Sequence, residues 1–177
     1  MNLVLIGYRG TGKSAVAAIL SRKLGMAAVS LDEEIVRQAG MPIPEIVERH
    51  GWPWFRELES EIVERLALRD GAILDTGGGV VLRPRNTENL RRSGVLFWLK
   101  ASVGVIVERI QESTERPSLT EGRSFLEEVE EVLSERLPLY RAAADREIDT
   151  DLLTPEGVAE EIIREFRTLA AEGAPRA

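Results

Sequence analysis

The chain has 177 residues, 30 of them acidic and 23 basic, with a formal net charge of −7 and no cysteine. That size suits a single domain with one full core. The acidic balance argues against a general binder of nucleic acid or membranes, and the lack of cysteine excludes disulfides and thiolate metal sites.

No apolar run approaches the roughly 18 residues that a membrane-spanning helix needs. The first apolar stretch is too short for a signal peptide and leads directly into a glycine-rich loop, so a soluble cytoplasmic protein is expected. Residues 3–6, Leu-Val-Leu-Ile, read as a buried parallel strand. The pattern G-x-x-x-x-G-K-S follows at residues 7–14, and a helix then runs to about residue 24, closed by Gly25. Strand, glycine-rich turn and helix together form the context of a phosphate-binding loop. Such a loop turns its amide N–H groups onto phosphate oxygens, and the helix adds the positive end of its dipole. The candidate nucleotide-binding residues are Gly10, Thr11, Gly12, Lys13, Ser14 and Ala15. Of these, Lys13 is expected to reach the β- and γ-phosphates and Ser14 to ligate Mg²⁺.

The second strand, residues 27–31, leads into Ser30-Leu31-Asp32-Glu33-Glu34. Asp32 has two readings: a polar residue at the ligand-binding end of a parallel strand, or the N-cap of the next helix. Gly40, Pro42, Pro44 and Gly51 then punctuate the chain before a long helix expected from about residue 54 to 69. Phe55, Leu58, Ile62 and Leu66 fall at core-facing spacing, while Arg56 and Glu59 share another face, where a surface ion pair of little worth is the plain reading. Trp52 and Trp54 read as core or pocket wall, and His50 as a helix-end residue rather than a catalytic one.

Residues 72–75 form a third strand that ends at Asp75 and leads into Gly77-Gly78-Gly79, a run that permits close approach to backbone. A strand at 95–99 and a helix at about 102–111 follow. The polar segment 112–122, with Arg116, Pro117 and Gly122, is expected to be a lid. A helix at about 124–142 contains Pro138, which implies a kink or break. A last strand at 147–149 precedes a helix capped by Thr154 with Pro155 at its first position. Residues 171–177 are expected to fray as a flexible tail. The alternation predicts one α/β domain over 1–170: three layers, α/β/α, around a five-stranded parallel sheet.

Taken together, these motifs resemble the shikimate kinases, small phosphate-loop enzymes related in fold to the nucleoside monophosphate kinases. The resemblance spans residues 3–165. It rests on the phosphate loop, Asp32 with Ile35, Phe55-Arg56-x-x-Glu59, Gly77-Gly78-Gly79, Arg116-Pro117, and Arg136 beside Pro138-Leu139-Tyr140, all in the family's order. It implies ATP-dependent phosphorylation of the 3-hydroxyl of shikimate, with Mg²⁺, in the route to chorismate and the aromatic amino acids. It also implies roles. Asp32 binds the substrate hydroxyls, including the attacking one. Arg56 and Arg136 grip the substrate carboxylate, and Glu59 holds such an arginine. Gly78 and Gly79 supply substrate-loop backbone, and Arg116 contacts the nucleotide phosphates from the lid. Lys13, Asp32 and Arg116 are the catalytic set. A monomer using ATP and shikimate is expected, with neither nucleic acid nor membrane as partner.

One departure stands out. The family shows Asp-x-Asp after the second strand, the first aspartate helping to hold Mg²⁺ through water, and alignment from Lys13 puts Ser30 there. Asp75 is a candidate replacement, since its strand could neighbour that of the phosphate loop; bracing the glycine run is the other reading. Two alternative functions follow: kinase of another polyol acid such as gluconate, or a nucleotide- or shikimate-binding protein with weakened catalysis.

Overall fold

The computed structural model describes residues 1–113 and 125–171. The chain forms β1 (Asn2–Ile6), α1 (Lys13–Leu24), β2 (Ala27–Ser30), α2 (Leu31–Ala39), α3 (Ile43–Ala67) and β3 (Ala72–Asp75). A 3-10 turn (Val80–Leu82) leads to α4 (Pro84–Ser93), β4 (Gly94–Lys100), α5 (Val103–Ser113), α6 (Phe125–Ala143), β5 (Arg146–Asp149) and α7 (Pro155–Ala171). All five strands run parallel in one sheet, in the order β2-β3-β1-β4-β5.

Side-chain alternation along the strands builds two cores. Val4, Ile6, Leu74, Leu96 and Trp98 point to one face, where they meet side chains of α2 through α6. Leu3, Leu5, Ile73, Val95, Phe97 and Leu99 point to the other, against α1 and α7. The result is the expected three-layer α/β/α arrangement. β1 sits at the centre; the chain first builds the sheet on one side of it and then on the other. That reversal opens a crevice at the carboxyl end of β1, where open parallel sheets bind ligands. Among the described residues no helix is long and apolar enough to cross a membrane.

Four expectations need correction. The segment after Pro42 is not loop: a first helical stretch starts at Ile43, with Pro44 in its first turn, where a missing N–H costs nothing, and precedes the expected helix. Gly51 (φ 81°, ψ 165°) then interrupts the helix and re-aims the chain. The chain does not break at Pro138, which lies inside α6. Val129 and Leu133 on one side of it, and Tyr140 and Ala143 on the other, are buried and hold the segment in place. Asp32 is not an N-cap: Ser30 fills that position, its Oγ accepting from the Glu33 N–H at 3.3 Å. Trp52 and Trp54 lie outside the core, 56% and 43% exposed.

His50 does end the first half of α3 and stacks on Trp54, with ring centroids 4.5 Å apart. Thr154 caps α7 as expected, accepting from the Gly157 N–H at 3.2 Å. α5 takes in Glu112 and Ser113, the start of the expected lid. The rest of that segment, Arg116 included, lies outside the described residues, as does the tail beyond Ala171.

Candidate active site

The phosphate loop joins β1 to α1 across the mouth of the crevice. Gly12, its residue before the helix, has φ 90°, a conformation that L side chains rarely adopt. The first N–H groups of α1 have no intrahelical partner and are available to an anion. Lys13 is buried, and its Nζ donates to the carbonyls of Gly7 (2.8 Å) and Tyr8 (2.9 Å). Burial pushes its pKa down, against the pull of Asp75 and Asp32. Thr11 turns inward, its hydroxyl donating to the Tyr8 carbonyl at 2.8 Å, so its side chain braces the loop.

A cleft of about 390 Å³ opens over this loop, lined by Gly10, Gly12, Lys13, Ser14 and Ala15 on one side and by Asp32, Asp75 and Gly78 on the other. Ser14 Oγ donates to Asp75 Oδ2 at 2.6 Å. That contact follows from topology. β3 lies directly beside β1, with Leu5 and Asp75 as register partners, so the end of β3 meets the start of α1. On the other side of β3, Ser30 is the register partner of Asp75. Asp75 is 8% exposed, and burial pushes its carboxyl pKa up, opposed by the Ser14 hydroxyl and by Lys13.

Asp32 stands in the first turn of α2. Its carboxylate lies against Gly77, where a Cβ would come within 2.8 Å of Oδ1. The residue keeps solvent access through the open cleft, yet crowding around its carboxyl still pushes the pKa up; Lys13 and Arg56 oppose the shift.

The arginines converge on the same glycine run. Arg56 Nη1 donates to both carboxylate oxygens of Glu59, at 2.8 and 2.9 Å. Glu59 is 1% exposed, so this is a buried pair and not the surface pair that spacing alone suggests. Burial pushes the Glu59 carboxyl up, with Arg56 opposing. The Arg56 guanidinium also faces the rings of Phe55 and Trp52, at 5.0 and 5.3 Å from their centroids. From α6, Arg136 donates to the Gly78 carbonyl at 3.2 Å, and the Tyr140 hydroxyl donates to the same oxygen. Burial raises the Tyr140 pKa to about 12, which keeps it a donor across the working range.

The structure thus brings together Lys13, Ser14, Asp32, Arg56, Gly78, Gly79, Asp75 and Arg136. It also adds residues that sequence reasoning missed. Arg109 of α5 lines the cleft and donates to Thr150 through Oγ1 (3.0 Å) and the carbonyl oxygen (2.8 Å). Arg9 lines it too, near the rings of Tyr8 and Phe125. An arginine inside the phosphate loop was a readable signal; Arg109 on a plain amphipathic helix was not.

As a set, these groups offer an anion cradle with one buried cation, a carboxylate beside it, and two arginines about a glycine turn. Among the described residues no three acidic or histidine side chains converge on a closed metal site. Ser14 and Asp75 nevertheless present hard oxygen donors at the edge of the loop, the kind that suits Mg²⁺ sharing its shell with water and phosphate.

Comparison with known proteins agrees. A sequence model of the family described as shikimate kinase matches residues 9–167. The chain is 44% identical over 169 residues to a shikimate kinase of Thermodesulfovibrio yellowstonii, covering 96% of each chain. It is 39% identical over 162 residues to one of Caldicellulosiruptor bescii, covering 92% of this chain and 93% of that one. Among solved structures, a shikimate kinase from Acinetobacter baumannii in complex with shikimate superposes with a TM-score of 0.87 at 30% identity, over 95% of this chain and 93% of the other. One from Aquifex aeolicus superposes with a TM-score of 0.80 at 29% identity, over 97% and 99%. The match runs from inside the phosphate loop into α7, across both halves of the cleft, and the chain therefore belongs to the shikimate kinase family.

Proposed function

We propose that this protein transfers the γ-phosphoryl group of ATP to the ring 3-hydroxyl of shikimate, giving 3-phosphoshikimate and ADP. The observation that carries this reading is the place of Asp32: it lines one cleft with Lys13 of the phosphate loop, and its carboxylate lies against Gly77, at the start of the glycine run that Arg56 and Arg136 flank. A hydroxyl held by Asp32 stands between the donor phosphate and the group that anchors the acceptor.

Each group has a task. The loop amides of residues 10–15 and Lys13 cradle the phosphates and stabilise charge on the transferring group. Asp32 aligns the acceptor hydroxyl and takes its proton; a carboxyl pushed above its ordinary value is better matched to that role. Arg136 and Arg56 grip the carboxylate of shikimate, since a guanidinium fork fits a carboxylate in two bonds. Glu59 fixes the orientation of Arg56. Gly78 and Gly79 bring backbone close to the ring. Ser14 would hold Mg²⁺ together with the nucleotide, and the metal would supply charge neutralisation there. The reading carries with it a monomeric, cytoplasmic enzyme of aromatic amino-acid biosynthesis.

The test is ADP release measured with shikimate, with gluconate and with neither. Release that needs shikimate is expected. Equal release with gluconate, or none with either, would overturn the reading.

A further inference from the structure

The metal-side carboxylate of this site is a question the family assignment leaves open, because Ser30 offers no charge. We propose that Asp75, at the end of β3, holds the water shell of the divalent cation that Ser14 ligates. This rests on the reading above and deepens it.

Three observations carry it. First, Asp75 is already beside the ligating hydroxyl, accepting from Ser14 Oγ at 2.6 Å through Oδ2. Its other oxygen takes no hydrogen bond among the described residues, and the side chain lines the phosphate cleft. Second, the sheet fixes this placement. β3 lies between β1 and β2, and Asp75 pairs in register with Leu5 on one side and Ser30 on the other. A charge at residue 75 thus stands one strand spacing, roughly 4.8 Å, from residue 30, nearer the loop. Third, Ser30 is committed elsewhere, since its Oγ caps α2 at the Glu33 N–H.

The chemistry follows. Mg²⁺ prefers oxygen ligands and gives up its waters reluctantly, so a carboxylate can hold it at one remove. Partners at that remove fix the geometry of the inner ligands. Asp75 reaches the cation's waters and the Ser14 hydroxyl from one carboxylate. The competing role is mechanical: Asp75 as a brace that accepts a hydrogen bond from Ser14 and nothing more.

Asp75→Asn separates the two. An asparagine oxygen still accepts from Ser14, so the brace survives while the charge is lost. Mn²⁺ titrated into the full-length protein with saturating ADP, and followed by the paramagnetic resonance of free Mn²⁺, reads the metal without turnover. The expected result is Mn²⁺ affinity of the ADP complex about tenfold weaker or worse in Asp75→Asn, with metal-free ADP affinity within about twofold of the parent. Ser30→Asp added to that variant should recover most of the loss. Unchanged Mn²⁺ affinity, or an equal fall in metal-free ADP affinity, would overturn the proposal. Should Asp75→Asn not fold, Asp75→Ser, which loses brace and charge together, takes its place and is read through added Ser30→Asp: recovery of Mn²⁺ affinity assigns the loss to charge, and no recovery overturns the proposal. Shikimate-dependent ADP release by the unaltered protein at saturating Mg²⁺ is run alongside. Failure of that arm alone would count against the kinase reading and leave the metal assignment standing.

Discussion

The guanidinium of Arg56 occupies the space that a Cβ on Gly79 would fill. The backbone of Gly79 itself is ordinary, at φ −98° and ψ 2°, so alanine meets no conformational strain there. Gly79→Ala should therefore act through Arg56 alone. Displacing one charged fork should cost about 1.5–3 kcal/mol of substrate binding, roughly ten- to a hundredfold in shikimate KM. The KM for ATP should stay near its parent value. Steady-state kinetics in both substrates decide it, and a rise confined to ATP would contradict the placement.

Glu59→Gln gives a prediction in pH. The Glu59 carboxyl is pushed above its ordinary value of 4.5 by burial, with Arg56 opposing. The folded protein thus holds that proton more tightly than the unfolded chain. The stability linked to it is full below 4.5 and is lost as pH rises through the raised folded value. Glutamine carries no such proton. The stability of Glu59→Gln relative to the parent should therefore rise between pH 4.5 and neutrality. Denaturant melts of both proteins across that range measure the difference, and a falling difference would reverse the sign. Shikimate affinity should drop at pH above the raised Glu59 value, where Arg56 loses its charged anchor, and converge with the parent below it.

Lys13→Ala should lower turnover by about 10²–10³-fold or more, the scale of losing one charge-stabilising group at a transferring centre. The two cores do not draw on Lys13, so far-ultraviolet circular dichroism should be unchanged. Turnover within a few-fold of the parent would remove Lys13 from the mechanism.

Arg136→Ala and Tyr140→Phe remove, one at a time, the two donors to the Gly78 carbonyl. Arg136→Ala should weaken shikimate binding by roughly 1.5–3 kcal/mol while ATP binding holds. Tyr140→Phe loses only a neutral hydrogen bond, about 1 kcal/mol, and should show mostly as lowered stability. Calorimetric titration with each ligand separates the two outcomes. Equal loss of both ligands in Arg136→Ala would argue against a substrate role.

Much of this architecture was legible in the residues. Residues 3–6, 72–75 and 95–99 are near-continuous apolar runs, as strands buried on both faces must be, and the observed strands match them within a residue at each end. The Arg56 and Glu59 pairing followed from helical spacing, but its burial did not, because it depends on the glycine run arriving from a distant part of the chain. The first half of α3 was hidden by Pro42, Pro44 and Gly51, which read as loop punctuation until their positions at helix ends are known. α4 was not individually placed, since only Asn86 and Leu90 of its residues are buried and its apolar signal is thin. The exposure of Trp52 and Trp54 ran against hydrophobicity, and nothing in the local pattern announces it. Arg109 needed three dimensions, since its partner Thr150 lies 41 positions away.

Lys13 donates its ammonium hydrogens to the carbonyls of Gly7 and Tyr8. Two of the three ammonium hydrogens are thus taken by the loop's own backbone, and one is left to turn to a phosphate oxygen. Chloride or acetate would meet that hydrogen alone, whereas a polyphosphate would engage it and several loop amides together. The carbonyl oxygens of the loop thus aim its one buried ammonium, and favour an anion of many oxygens over one that touches at a single point.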